Sequence, residues 1–497
     1  MSLLSTRRVF LIILGLGLLA MAARGVHDPD VWWHLRAGQE IVTSHHVPHQ
    51  DSFSYTRYGQ PWVAHEWLTE ALFYLVFRAA GWAGLTVMFA AVIGGTFLLL
   101  YRQCAGRPYI AGLATALGAI ATIPSWGVRP QMISLLLATI VLGLLRQAEQ
   151  QSPNQGRLLW WLPALLLLWV NLHGAFLLGP ALMALTLAGW ALEAWLGLTN
   201  WQQARVRLRR LGLALGACLL VIPFNPNGWE IYRYPFQTLQ SRTMMQYIVE
   251  WASPNFHSVD FKPLLGLLLL TWLVVAVSRK RPSPTQILLL LATAYAALSS
   301  ARHVPIFVLV AVPILAQSLQ ELAERRKWFS PAAETSPPPA KLAFNLVLIL
   351  AMSGFAGLRF YQVIQSQAAT ETKYYPQAAA KFVAQKHVPA PMFNYYDWGG
   401  YFIFKLYPQY RVFIDGRADL YGSLMDTFSE TANGQGNWRE ALEKYQVRTV
   451  VVPPTSGLAG LLRLDGEWKK EFEDKQAVVF VKDGSVAAVS SSLVGSW

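Results

Sequence analysis

From residue 9 to residue 358, apolar runs without Asp, Glu, Lys or Arg follow one another at short intervals: 9–23, 79–101, 108–128, 130–145, 158–192, 211–229, 263–278, 282–301, 303–320 and 342–358. A helix needs about 20 mainly apolar residues to cross the hydrocarbon core of a bilayer. The run 158–192 is too long for one crossing, and Asn171-Leu172-His173-Gly174 at its centre reads as a tight turn between two. The pattern predicts a multi-pass α-helical membrane protein with about eleven transmembrane helices over 1–360. After residue 360 the period changes. Helix 374–387, strand 391–394, helix 399–406, strand 411–414, helix 437–445 and strand 448–452 are expected, then short strands near 468–472 and 477–481. Apolar strands alternating with helices predict a small α/β domain over 361–497.

The basic residues orient the helices. With Arg7 and Arg8 placed in the cytoplasm, strict alternation puts 17 Lys and Arg of residues 1–359 in short cytoplasmic segments and 10 on the opposite side. Eleven crossings then leave the C-terminal domain extracytoplasmic. A retained first helix is expected; cleavage after Met21-Ala22-Ala23 is the alternative, and it leaves the remaining topology unchanged. Ser336-Pro337-Pro338-Pro339 falls in a cytoplasmic loop. The long first outer loop, 25–78, is expected to carry two helices lying along the membrane interface. They run from Val31 to about Thr43 and from Trp62 to about Arg78. Val31, Trp32, Leu35, Ile41 and Val42 form an apolar stripe on the first, with the Trp pair at headgroup level. A second outer region, 224–262, is aromatic, with Trp229, Tyr232, Tyr234, Tyr247 and Trp251.

Only 14% of the 497 residues are charged and 54% are hydrophobic, which excludes a disordered chain and argues against one large soluble enzyme. The net charge of +13 lies entirely in residues 1–359, since 360–497 holds 14 basic and 14 acidic residues. It has a membrane explanation, and nucleic acid is not an expected partner. Cys104 and Cys218 exclude a disulfide scaffold and a Cys-x-x-Cys metal site.

In a membrane protein, ionisable groups that do not serve as cytoplasmic anchors mark function. The densest cluster is His27-Asp28-Pro29-Asp30-Val31-Trp32-Trp33-His34, directly after the first apolar run. Asp28 and Asp30 together fit a general base or a divalent ion such as Mg or Mn, whereas capping of the following helix would account for Asp30 alone. His34, His65 and Glu66 are candidates for support of that site; Thr69 rules out a His-Glu-x-x-His zinc motif. Arg129 and Arg302 sit at helix ends against the orientation bias. Bidentate binding of a lipid phosphate would explain them, and so would snorkelling to headgroups. In the tail, Asp397, Asp415 and Arg417 stand beside glycines at strand ends and are expected to contact an acceptor or the membrane domain. No Gly-x-Gly-x-x-Gly or P-loop string is present.

These features together resemble the membrane glycosyltransferases of the GT-C fold, which include protein O-mannosyltransferases, aminoarabinose transferases and oligosaccharyltransferase catalytic subunits. The strings DPDVWWHLRAG, DSFSYT, WVAHEWLTE, VRPQ, NLHGAF, YYDWGGYF and RVFIDGRADLYG resemble a bacterial branch of that superfamily. The resemblance implies a bacterial cytoplasmic (inner) membrane protein. It would transfer a sugar from a polyprenyl-phosphate donor to a glycan, lipid or protein acceptor on the outer face, by single displacement with inversion. An acid of the first loop would activate the acceptor hydroxyl, and a cation would stabilise the leaving phosphate. The superfamily's acidic pair is Asp-Glu, whereas this chain has Asp28-Pro29-Asp30. Asp30 is favoured as the base because it starts the helix and shortly precedes the aromatic run. A lipid-linked-sugar flippase is a weaker fit, because the apolar runs are nearly uncharged and the polar residues crowd one face. A non-catalytic cell-envelope assembly protein is the third reading, kept open by the altered acidic pair.

Overall fold

The structure is a computed structural model that describes residues 6–149, 155–328 and 339–483. Ser336, Pro337 and Pro338 lie outside the described residues. Every apolar run of the sequence is helical: Thr6–Ala22, Trp67–Gln103, Pro108–Thr122, Gln131–Glu149, Leu162–Leu172, Leu178–Trp195, Trp201–Val221, Lys262–Val277, Pro284–Ser299, Val304–Arg325 and Pro339–Gln365. Among the described residues, seven helical stretches are long and apolar enough to cross a membrane, and Gly156–Leu172 and Pro284–Ser299 are shorter apolar helices. The chain forms a multi-pass helical membrane protein with a sheet-containing C-terminal region.

It folds as two compact units. The first comprises Met1–Gly25, Ala80–Pro235 and Ile248–Gln365; the second comprises Val26–Ala79, Phe236–Tyr247 and Ser366–Trp497. The helix Trp67–Gln103 passes from one to the other and breaks at Gly81, whose φ of 57° and ψ of −150° only glycine adopts without strain.

In the first unit, small residues let helices approach closely, the packing that helices use where the surrounding medium is itself apolar. A Cβ on Gly112 would lie 2.2 Å from Phe10, and one on Gly118 would lie 2.5 Å from Val312. Val304–Arg325, which contains Val312, is buried along most of its length. The turn at Asn171–Gly174 closes on polar side chains, not on lipid. Ser134 Oγ is 2.8 Å from His173 Nδ1 and accepts from Trp169 Nε1 at 2.7 Å, while Asn225 Nδ2 donates to the Val170 carbonyl at 2.9 Å.

The second unit is built on a four-stranded sheet of β1 (Met392–Asn394), β2 (Thr449–Val452), β3 (Trp468–Glu473) and β4 (Val478–Lys482), in the order β1-β2-β4-β3. β1 is parallel to β2, and the other pairs are antiparallel. Phe393, Val450, Val452, Val478 and Phe480 of these strands join Leu424, Phe428, Leu442 and Leu458 of the covering helices in one core. The expected strand 411–414 does not enter the sheet. Val412 instead donates to the Phe53 carbonyl and accepts from Tyr55, both at 3.1 Å, and Phe413 N donates to Asn394 Oδ1 at 2.7 Å. The first loop thus takes the place of a sheet partner, which no local sequence pattern announces.

The first-loop helices differ from expectation in the same way. The first spans Val31–Ser44. Its apolar stripe does not face headgroups: Val31, Trp32 and Leu35 are fully buried, and the Trp32 ring packs edge-on to Tyr375 and Tyr401 at centroid distances of 5.1 and 4.8 Å. The second helix starts at Trp67, five residues later than predicted, because Trp62 N is already bonded to the His49 carbonyl at 2.9 Å. The two helices meet at Gly38, where an added Cβ would stand 1.9 Å from the Glu70 carbonyl oxygen.

That contact generates a stability prediction. Gly38→Ala forces backbone apart and should cost about 1–3 kcal/mol, read as a lowered Tm. Gly460→Ala, on an open face of the helix Gly457–Leu462, should leave Tm unchanged or raise it.

Candidate functional site

Asp28, Pro29 and Asp30 end the extended stretch that leads into Val31–Ser44. The two acids have different tasks. Asp28 Oδ1 accepts the Asp30 backbone N–H at 2.9 Å, shaping the turn. Asp30 occupies the N-cap position of the helix but its side chain makes no capping hydrogen bond. Instead its Oδ1 accepts from Trp33 Nε1 at 3.1 Å. The carboxylate also lies against Gly416, where a Cβ would come within 1.7 Å of Asp30 Oδ1. Pro29 is met in the same way by Gly400, whose Cβ would lie 2.6 Å from the Pro29 carbonyl oxygen. Two tail glycines are therefore the complement of the acidic motif. Asp397 is exposed on the turn Tyr396–Trp398, close enough to Asp28 for the two carboxylates to repel.

Asp415 and Arg417 are fully buried, so neither offers a surface to an acceptor. Arg417 Nε and Nη2 donate to the two oxygens of Asp415 at 2.8 and 2.7 Å, and Nη1 stands 2.7 Å from Asp51 Oδ1. Tyr421 donates its hydroxyl to Asp415 Oδ2. Asp51 in turn accepts from the backbones of Phe53 and Ser54 at 3.1 Å and from Ser54 Oγ at 2.6 Å. The guanidinium lies over the rings of Trp62 and Phe53, 4.8 and 5.1 Å from their centroids. Burial alone would favour loss of its proton, but Asp415 and Asp51 hold it protonated far above any physiological pH. This cluster ties the first loop to the tail within the second unit.

His34, His65 and Glu66 also come together, with Glu70 as a member the sequence reading missed. His34 Nε2 is 3.4 Å from Glu66 Oε2 and Nδ1 is 3.4 Å from Glu70 Oε1, while His65 Nε2 is 3.4 Å from Glu66 Oε1. Burial disfavours the His34 cation, but the Glu70 hydrogen bond and the Glu66 charge outweigh it and raise its pKa. For His65 burial is likewise outweighed, by Glu66 first and then Asp419, and the pKa rises to about 9. Spacing held the missing signal, because Glu66 and Glu70 lie four residues apart; helical geometry puts such pairs on one face.

In the first unit, Arg129 and Arg302 share a partner that the sequence reading did not single out. Arg129 Nη1 is ion-paired with Glu250 Oε1, and the Arg302 guanidinium covers the adjacent Trp251 ring at 5.2 Å. Ser300 Oγ donates to the Glu250 carbonyl at 3.0 Å, and Ala301 N donates to that of Ala252 at 2.9 Å, fixing the segment 249–252 beside Arg302. Burial pushes the Glu250 carboxyl up, but Arg129, by charge and hydrogen bond, and Arg302 bring it below its ordinary value.

No family model and no curated protein matches the chain. Solved structures do share its fold. The oligosaccharyltransferase of Archaeoglobus fulgidus, tethered to an acceptor peptide with the NVT sequon, matches at a TM-score of 0.58 and 14% identity, over 91% of this chain and 70% of that one. The AglB oligosaccharyltransferase of the same organism, in complex with an inhibitory peptide and a dolichol-phosphate, matches at 0.55 and 15% identity, over 90% and 69%. The architecture is therefore the GT-C fold that the sequence features together resemble. ArnT from Cupriavidus metallidurans, bound to undecaprenyl phosphate, has a TM-score of 0.49 at 15% identity, over 96% of this chain and 97% of its own.

Two predictions follow from these charge clusters. Arg417→Ala leaves Asp51 and Asp415 buried without their cation and should destabilise by about 3–5 kcal/mol, seen as a large fall in Tm or in folded yield. Glu250, with its folded pKa depressed, contributes stability above its unfolded pKa and loses it as pH falls through the folded value. Glu250→Gln should flatten that acid-side loss in a Tm-against-pH series. With the carboxylate 36% exposed, its cost at neutral pH should stay below about 1 kcal/mol.

Proposed function

We propose that the chain is an inverting glycosyltransferase. It moves a sugar from a polyprenyl-phosphate donor to a glycan, lipid or protein acceptor on the outer face of a bacterial cytoplasmic membrane. The N-terminus then lies in the cytoplasm and the C-terminal domain outside. The fold supports transferase chemistry in general terms, and the similar oligosaccharyltransferases hold a dolichol-phosphate with an inhibitory peptide in one structure and an acceptor peptide in the other. The observation that carries the reading for this chain is the Asp30 carboxylate. It starts a helix without capping it, and it is positioned by Trp33 and by the close approach of Gly416.

In this proposal Asp30 takes the proton of the acceptor hydroxyl as its oxygen attacks the anomeric carbon. The bond from that carbon to the phosphate oxygen breaks on the opposite side, and polyprenyl phosphate leaves with the electron pair. Asp28 shapes the turn that presents Asp30. Arg129 and Arg302 bind the donor phosphate, where guanidinium suits the charge and geometry of the leaving group. A divalent ion such as Mg or Mn at Asp28 and Asp30 is the alternative use of that acidic pair.

The test uses the purified protein in lipid nanodiscs with a panel of radiolabelled polyprenyl-phosphate sugars, following release of sugar from lipid. Wild type should release label from one donor, Asp30→Asn should lower the rate by at least about 100-fold, and Asp28→Asn should lower it less. Arg302→Ala should raise the donor KM more than it lowers kcat. Donor binding with no release by wild type would discard the transferase reading in favour of a flippase or an envelope-assembly protein.

A further inference from the structure

The mechanism above leaves His34, Glu66 and Glu70 without a task. They are the described group whose ligand atoms come close enough to hold a metal ion: one nitrogen of His34 and one oxygen of each carboxylate lie within 4.8 Å of one another. All three side chains are buried, with His34 at 4%, Glu66 at 7% and Glu70 at 1% exposure. We infer that this group is a structural binding site for a divalent transition-metal ion of the zinc class, set between the helices Val31–Ser44 and Trp67–Gln103.

One observation beyond the grouping itself points to a ligand. Glu70 Oε2 is buried and has no hydrogen-bond partner, although its other oxygen faces His34. A buried carboxylate oxygen left unsatisfied is costly, and coordination satisfies it. An imidazole gives a metal only one of its nitrogens, and the three ligand atoms, now within 4.8 Å of one another, would close toward the separation of about 3.4 Å that ligands about 2.1 Å from a tetrahedral ion have.

The donor set selects the metal. One imidazole with two carboxylates suits zinc and its neighbours over magnesium or calcium, which prefer oxygen alone. His65 supplies an outer partner, since its Nε2 lies 3.4 Å from the Glu66 oxygen that does not face His34. Bound there, the ion would pin the two helices at the level of their Gly38–Glu70 contact. The inference stands apart from the transferase proposal and needs no donor or acceptor.

The full chain in nanodiscs is treated with EDTA, reloaded with Zn2+, desalted and assayed for metal by mass spectrometry. Wild type should retain one equivalent and show a higher Tm with Zn2+ than without. Glu70→Gln and His34→Gln should retain less than a tenth of that, while Asp28→Asn and Asp30→Asn retain it in full. X-ray absorption of the loaded protein should show one imidazole among oxygen ligands. Retention of less than a tenth of an equivalent by wild type with no change in Tm would overturn the site and leave His34 as a buried cation between two carboxylates. Retention equal to wild type in folded Glu70→Gln would overturn it too. If the variants do not fold, the wild-type Tm response and absorption spectrum decide the question alone.

Discussion

A guanidinium taken out of water must carry its counter-charges with it, and Arg417 draws them from two distant parts of the chain. Asp415 lies two residues away, but Asp51 comes from the first loop, more than 360 residues earlier in sequence. Neither carboxylate can be buried without the cation, and the cation cannot be buried without both. The aromatic rings of Phe53 and Trp62 close over the group and keep solvent from competing. First loop and tail therefore fold as one body, and residues 26–79 group with residues 366–497 in a single compact unit.

The position of Asp30 is a consequence. Gly416 stands between Asp415 and Arg417, so the clamp that fixes those two side chains also fixes the backbone against which the Asp30 carboxylate rests. Gly400 repeats the arrangement against the carbonyl of the neighbouring Pro29. Any residue larger than glycine at 416 would displace the acid that the proposed chemistry uses. The Asp30 carboxylate is thus held from two sides, by the local turn with Trp33 and by a backbone that a long-range ion cluster fixes. That is what preorganised catalysis asks of a base.

The helices were legible because hydrophobic runs of membrane length admit few alternatives, and each run found in the sequence is helical. The strands β1, β2, β3 and β4 were legible from apolar alternation bounded by turns. What the pattern could not show is which chain segment satisfies a given backbone edge. Residues 411–414 read as a strand, yet Val412 bridges to Phe53 and Tyr55 of the first loop and the segment does not join the sheet. The apolar stripe of Val31–Ser44 looked like a membrane-facing surface for the same reason: amphipathicity reports that a face is buried, not what buries it. At the candidate site, Asp28, Asp30, His34, His65 and Glu66 were visible as a dense polar cluster beside an apolar run. Glu70 and Glu250 were not, since each acts through partners that only the fold supplies.

The two arginine clusters differ in how far they are enclosed. Around Arg417 one cation faces two carboxylates, with Tyr421 as a further donor and less than 3% of the residue exposed. Its two counter-ions and the rings over it enclose it, and no anion has access to it. Around Glu250, Arg129 and Arg302 both act on one carboxylate, and the side chains of Arg129 and Glu250 are 22% and 36% exposed. Glu250 draws the two cations toward one place, and its pair with Arg129 lies where solvent can reach. Simple snorkelling needs no carboxylate to gather the arginines, and the phosphate role proposed for Arg129 and Arg302 is compatible with their meeting at one solvent-reached place.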